Sequence, residues 1–532
     1  MEFIGTFWSL VPPIVAIVLA LITKETYSSL FIGIVVGALL LAAGDPVNTL
    51  NYIICGTIGE GETAVDVGFI HAISDPWNAG IFVFLVILGI MVALVNAAGG
   101  SAAFGRWAAK HIKTRTGAML ATFLLGVLIF IDDYFNCLTV GAVMRPVTDE
   151  QRMSRAKLSY LIDATAAPIC MIAPISSWAA AVSATAADLD TGITGIQLFV
   201  SAIPYNFYSL LTIAFIVAIA LMGFDYGPMA SYELESYRTG NVGSLGNEKP
   251  VDQPRASLWD MLFPVLLLIA CCIVGMLYVG GFWDPEAEGY MSLSLAFGNT
   301  DASVGLPWGS IVALVVSFIY LLCRRVVTFK QATDCFVEGF KAMVPAMLIL
   351  TFALTLKLAT SALGADVYVA GLMQGAAAGL YSMLPAIIFL VALGLAFATG
   401  TSWGTFGILI PIVLPIFAGQ PTLLTIGISA CLAGAVCGDH ISPISDTTVM
   451  ASAGANVNHI THVSTQIPYA MTVAAISFIC FILAGFVRNW VICLIVGVAL
   501  IVGVLFVLRA TKGKKFREQI AAIDAERTQA QA

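Results

Sequence analysis

Apolar runs long enough to cross a bilayer recur along this whole 532-residue chain, for example Phe7 to Thr23, Gly80 to Asn96, Ser257 to Tyr278 and Val491 to Leu508. A helix needs about 20 such residues to span the hydrocarbon core. No large soluble domain fits between the runs. Only 11% of the residues are charged and 59% are hydrophobic, against roughly 25% charged in an ordinary soluble domain. The expectation is an all-α polytopic membrane protein whose main partner is the lipid bilayer. The first run reads as a true span rather than a cleaved signal, because Met1-Glu2-Phe3 carries no positive charge and no small-residue cleavage site follows. A net charge of -8 without a basic patch argues against a nucleic-acid partner. The eleven cysteines show neither CxxC pairs nor zinc-ligand spacing, so packing is their expected role and no cofactor is implied.

The placement of Lys and Arg sets the topology. They concentrate in Arg106 to Arg115, Arg145 to Lys157, Arg238 to Arg255, Arg324 to Lys341 and Arg509 to Arg527, which the positive-inside rule assigns to the cytoplasm. The stretches Asp45 to Asp75, Asp188 to Thr194, Asp284 to Asp301 and Gly364 to Gly379 hold no Lys or Arg and are expected outside. Gly117 to Met144 is apolar but has a basic cluster at each end, so a single crossing would carry one cluster outward. A re-entrant hairpin over 117–146 removes the conflict. Leu380 to Phe417 runs from one K/R-free stretch to another and reads as a second hairpin, over 380–417, entering from outside. Eleven crossings and two hairpins result, in the cell's inner membrane, with the N-terminus outside and the C-terminus cytoplasmic. Lys24 fits a cytoplasmic turn, Arg488 is an outer exception, and Lys357 falls within a span.

One register relates the two halves. Ile172-Ala-Pro-Ile-Ser-Ser overlies Ile441-Ser-Pro-Ile-Ser-Asp, and the same ungapped offset pairs Ser183 with Ser452, Tyr134 with Trp403 and Pro146 with Pro415. Because the hairpins enter from opposite sides, the repeats are expected to have inverted topology, as alternating-access transporters often do. The first repeat would occupy 1–222, with a broken helix over 157–187. A cytoplasmic linker follows over 223–256. The second repeat would occupy 257–467, with a broken helix over 422–455. Final transmembrane helices over 468–508 and a basic tail over 509–532 complete the chain.

Four motifs can carry chemistry. Phe130-Ile-Asp-Asp-Tyr-Phe-Asn136 puts Asp132 and Asp133 at the first hairpin tip; carboxylates at membrane depth mark ion pathways or proton relays, the plainer alternative being a tip hydrated at the cytoplasmic surface. Pro168 and Pro174 bracket Ser176 and Ser177, where freed carbonyls and hydroxyls suit a hard cation, or a satisfied proline kink. Gly400-Thr-Ser-Trp-Gly-Thr405 lies at the second tip, its small residues suiting either ligand contact or ordinary helix packing. The most specific motif is Gly438-Asp-His-Ile-Ser-Pro-Ile-Ser-Asp-Thr-Thr448, in which Pro443 is expected to break a helix and bring Asp439 and Asp446 together. His459 and His462 lack a third ligand or an HExxH glutamate and are expected at the interface. Lys357 would either snorkel outward or act as a counter-charge to an aspartate or a substrate carboxylate.

The segments IDDYFN, APISSW, GTSWGT and GDHISPISDTT, with the trailing TQIPYA, resemble the signature segments of the NhaC-type sodium/proton antiporter family, from the first hairpin through Tyr469. The resemblance implies two hairpins and two broken helices around a midplane site. One half-site would use Asp132, Asp133, Asn136, Ser176 and Ser177. The other would use Thr401, Ser402, Thr405, Ser442, Ser445, Asp446 and Thr447, to which the residue pattern adds Asp439. Sodium is the metal expected there, with H+ as the counter-ion. The expected function is Na+/H+ antiport by alternating access; the alternative is Na+-coupled symport or exchange of an amino acid or small organic acid. HExxH is absent, which disfavours a metalloprotease, and the chain is not expected to be an enzyme. Related folds imply a homodimer.

Overall fold

The computed structural model describes residues 3–531 except 24, 60–63, 131–132, 174–175, 177, 179–181, 183–194, 247–254, 366, 369–380 and 418–419. The chain is built almost wholly of helices. Val11–Thr23 (α1), Thr26–Leu41 (α2) and Pro46–Ile54 (α3) lead to a short antiparallel hairpin, Gly56–Ile58 (β1) and Val65–Val67 (β2). Phe69–Ser74 (α4), Pro76–Ala97 (α5), Gly100–His111 (α6), Arg115–Leu128 (α7) and Asp133–Glu150 (α8) follow. Arg155–Asp163 (α9), Ala167–Cys170 (α10), Gly195–Ala202 (α11), Phe207–Met222 (α12) and Pro228–Thr239 (α13) complete the first half. The second half comprises Trp259–Val279 (α14), Leu293–Gly298 (α15), Ala302–Cys323 (α16), Phe329–Ala362 (α17), Leu384–Thr399 (α18), Ser402–Ile416 (α19), Pro421–Ile441 (α20), Asp446–Ala455 (α21), His459–Val487 (α22) and Trp490–Gln531 (α23).

Local sequence explains where several helices begin. Asp45 and Asp75 each precede a proline and accept a hydrogen bond from the backbone N–H three residues on, at 2.7 and 3.0 Å, so α3 and α5 start with a capped first turn and a preset φ. Thr328 and Gln331 form a capping box at the head of α17. In lipid there is little hydrophobic drive to pair helices, and small residues let backbones touch instead. A Cβ on Gly434 or Gly438 would lie 2.4 Å from the Phe389 carbonyl oxygen or 2.1 Å from that of Leu393, which locks α20 against α18. Gly141 and Gly454 do the same for α8 and α21, where a Cβ on Gly454 would meet the Cys137 carbonyl oxygen at 2.3 Å.

Burial separates a centre from a periphery. Of the most apolar stretch of α20, 83% is buried inside the protein, against 33% for α14 and 22% for α23. The helix α20 is therefore the axis of the buried centre, packed against α18, α19 and α22 and touched by α10, α11, α12 and α21, while α14, α16 and α23 present apolar side chains outward.

Several expectations change. The fold is not purely helical: the β1–β2 hairpin closes one of the K/R-free stretches, where alternating Val65-Asp66-Val67 pairs with Gly56-Thr57-Ile58. Among the described residues six helices are long and apolar enough by themselves to cross a membrane, or seven if the 47° bent pair Gln197–Tyr205 and Phe207–Met222 is one span, beside the eleven crossings expected. Shorter apolar helices such as α7 and α18 account for part of the difference. The stretch 223–256 holds the helix α13, which buries Met229 and Glu233 and is fixed by an ion pair from Arg115 to Glu233. Burial pushes the Glu233 carboxyl up from the usual range, while Arg115 pulls it down. The helix α22 starts at His459, before residue 468, and α23 runs unbroken for 42 residues on through the basic tail.

Candidate ion site

The site begins with a proline. Pro443 has no N–H to donate and pushes Ser442 into an extended conformation, so α20 stops at Ile441 and α21 restarts at Asp446. Ser445 caps the new helix, accepting from the Thr448 N–H at 3.3 Å. Asp446 thus stands in the first turn of α21, where the helix dipole favours a carboxylate, and it accepts from the Thr447 N–H at 2.9 Å. Asp439 stands in the last turn of α20, where the dipole opposes its charge.

The start of α8 and the link between α18 and α19 both reach this break. Gly400, at φ +65°, ends α18, and a Cβ there would lie 2.5 Å from the Ile444 carbonyl oxygen, so only glycine allows the second tip to sit on the break. Ser402 then donates to Asp439 Oδ2 at 2.8 Å, and the Thr447 hydroxyl approaches the same oxygen at 3.5 Å. Asp439 Oδ1 is buried without a hydrogen-bond partner among the described residues. From the first hairpin, Tyr134 donates to Asp446 Oδ2 at 2.7 Å, and Trp77 packs edge-on against the Tyr134 ring with centroids 5.5 Å apart.

A cavity of about 160 Å³ lies between these groups, lined by Asp133, Thr401, Ser402, Asp439, Asp446, Thr447 and Lys357 together with Trp77, Tyr134, Trp178 and Trp403. A second space of about 530 Å³ lies beside it, lined by Asp66, His71 and Asp75, and Trp77 and the half-buried Lys357 border both. The inner cavity offers carboxylate and hydroxyl oxygens, the ligands a hard cation takes.

The expected residues divide. Asp133, Thr401, Ser402, Asp439, Asp446, Thr447 and Lys357 converge on the cavity. Asn136 is not among its lining residues; its amide donates to the carbonyls of Gly126, Ile129 and Thr165 at 2.7 to 3.0 Å and ties the first hairpin together. Ser176 donates to Cys170 and Ala173 carbonyls, Thr405 to the Thr401 carbonyl and Ser442 to the Phe397 carbonyl, all at 2.8 to 3.0 Å, so these hydroxyls serve the backbone. Ser445 is a helix cap and contacts the Thr447 hydroxyl at 2.9 Å. Asp132 and Ser177 lie outside the described residues. The expectation omitted the four aromatic residues of the cavity wall, although the repeat register that pairs Tyr134 with Trp403 pointed at two of them.

His459 and His462 are not interfacial. Both are buried behind the break, where they share the Ser452 hydroxyl at 2.9 and 2.8 Å, and His459 Nε2 reaches the Pro443 carbonyl oxygen at 2.8 Å. His462 Nε2 lies 2.9 Å from Gln466 Oε1, and the Gln466 amide donates to Asp163 Oδ2 at 2.8 Å and to the His440 carbonyl. Lys157, expected among the cytoplasmic basic residues, is fully buried and paired with Asp225, which also accepts from Tyr469.

A pair of aspartates facing a small cavity among apolar helices is the arrangement of a membrane transporter, and sequence relationships agree. Residues 181–486 match the Na+/H+ antiporter family. An uncharacterized protein of Haemophilus influenzae is 36% identical over 91% of this chain and 92% of its own length. The malate-2H(+)/Na(+)-lactate antiporter of Bacillus subtilis is 36% identical over 20% of this chain and 24% of its own. The solved YdaH transporter of Alcanivorax borkumensis aligns over 85% of this chain and 97% of its own at 13% identity, with a TM-score of 0.33, a likeness too slight to define a shared fold. The chain is a multi-pass membrane protein and belongs to the Na+/H+ antiporter family, of the NhaC type that the motifs resemble.

Proposed function

We propose that this transporter exchanges Na+ for H+ across the membrane by alternating access, with Na+ bound between Asp439 and Asp446. The observation that carries the reading is the unpartnered Asp439 Oδ1 in an oxygen-lined cavity, on a carboxylate that the end of α20 leaves in need of positive charge. Ser402, Thr447 and Asp133 would complete the shell, and the inverted repeats would supply two exchanging access states. Purified protein in liposomes loaded with a pH-sensitive dye tests this. A Na+ pulse without organic solute should shift internal pH in the direction of the gradient, and the shift should vanish in Asp439→Asn. Silence in the wild-type protein would refute the reading.

A second reading rests on its own observation. The indole N–H groups of Trp178 and Trp403 are buried without partners among the described residues, and Lys357 lines the same cavity. Three donors in one cavity suit a carboxylate, and about 160 Å³ holds several times the roughly 30 Å³ of one water. Na+-dependent uptake of a labelled small organic acid, with no pH signal from Na+ alone, would favour that reading.

A further inference from the structure

Behind the break in α20–α21 lies a polar cluster that the cavity does not use: Asp163 on α9, Ser452 on α21, and His459, His462 and Gln466 on α22, each at least nine-tenths buried. Its hydrogen bonds can be counted. A carbonyl oxygen only accepts, so the contact to Pro443 puts a hydrogen on His459 Nε2. The Gln466 amide nitrogen is committed to Asp163 and the His440 carbonyl, so its Oε1 accepts and His462 Nε2 also carries a hydrogen. In two neutral rings both Nδ1 atoms are then lone pairs. They face one hydroxyl, that of Ser452, which also lies 2.8 Å from the Thr448 carbonyl oxygen. One hydroxyl hydrogen cannot serve three acceptors. A proton added to either Nδ1 turns that ring into a donor to Ser452 Oγ and cuts the unserved acceptors from two to one. Its charge is met by Asp163, whose Oδ2 is 3.7 Å from His462 Nε2.

We infer that Asp163 with His462, His459 and Ser452 is a proton-binding site distinct from the cation cavity, and that it holds the proton released when Na+ binds. The inference rests on the Na+/H+ reading above and adds where the proton resides. Titratable neighbours face it from every side: His440 on α20, 4.0 Å from Asp163 and hydrogen-bonded to Tyr208 of α12; Tyr160 on α9 itself; and Asp439 and Asp446 on the opposite face of the break. The nearest lysine along α9, Lys157, is already neutralised by Asp225. Na+ arriving at Asp439 and Asp446 places a second positive charge on the same broken helix and disfavours the first. The Nδ1–H bond then breaks, the proton passes to water, and the Ser452 hydroxyl turns to donate to the vacated nitrogen.

Trp178 and Trp403, with rings 5.9 Å apart in the cavity wall, allow Na+ binding to be read by tryptophan fluorescence while a dye in weak buffer reads proton release. Wild-type protein should show both signals. Asp163→Asn and His462→Gln should keep the fluorescence response and lose at least tenfold of the proton release, and Asp439→Asn should lose both. If Asp163→Asn does not yield monodisperse protein, His462→Gln alone decides, because glutamine keeps a hydrogen-bonding side chain that does not titrate. Proton release at wild-type level in His462→Gln would overturn the inference. A wild-type fluorescence response without proton release would instead refute the Na+/H+ reading, and this inference with it.

Discussion

The two faces of the broken helix α20–α21 are both polar and both buried, yet they are built in opposite ways. The face toward the hairpins opens on a cavity and leaves a carboxylate oxygen, Asp439 Oδ1, without a donor. The face toward α9 and α22 is lined by side chains at least nine-tenths buried, and there acceptors outnumber hydrogens around Ser452. A vacant oxygen beside a cavity calls for an ion of some size; a surplus of acceptors among buried side chains calls for a proton. Buried polar groups are normally satisfied, so deficits of two kinds on one element point to two kinds of cargo.

The sharpest way to break this contrast is Asp446→Asn, which should abolish Na+-driven exchange in intact liposomes and leave the thermal melt of detergent-solubilised protein nearly unmoved. A large fall in melting temperature would mean that the front face is structural too. Gln466→Leu on the back face should do the reverse first, removing the donor to Asp163 and the His440 carbonyl and costing about 2 kcal/mol of stability, measured as a lower midpoint in denaturant. The smallest effect should come from Tyr134→Phe, which deletes one hydrogen bond to Asp446 worth about 1.5 kcal/mol, or about tenfold in apparent Na+ affinity. An unchanged affinity would place the cation nearer Asp439 alone.

The front face was largely legible from the chain because its chemistry is local. Asp439, Pro443 and Asp446 lie within eight positions, and proline announces the break between them. The back face was not. Asp163 is about 300 residues from Gln466 in sequence, and His459 and His462, judged by ligand spacing alone, look like surface residues; only packing of α9 against α22 joins them. Lys157 misled for the same reason, since a lysine in a basic cluster reads as cytoplasmic until the fold supplies Asp225. The crossing count depended on summing apolar lengths, and short helices such as α7 and α18 do not reveal from composition whether they traverse or turn back.

The helix α23 has a mechanical consequence. At about 1.5 Å per residue, its 42 residues extend about 63 Å, roughly twice the bilayer's hydrocarbon thickness of about 30 Å, and Tyr237 on α13 grips it at Asp524 through a 2.5 Å hydrogen bond. A rod anchored in lipid and clasped far along its length acts as a pointer, magnifying a tilt of a few degrees into a displacement of several ångströms at its far end. A fluorophore at Ala525 would therefore register rocking of the membrane helices that a label inside the bilayer would hardly sense.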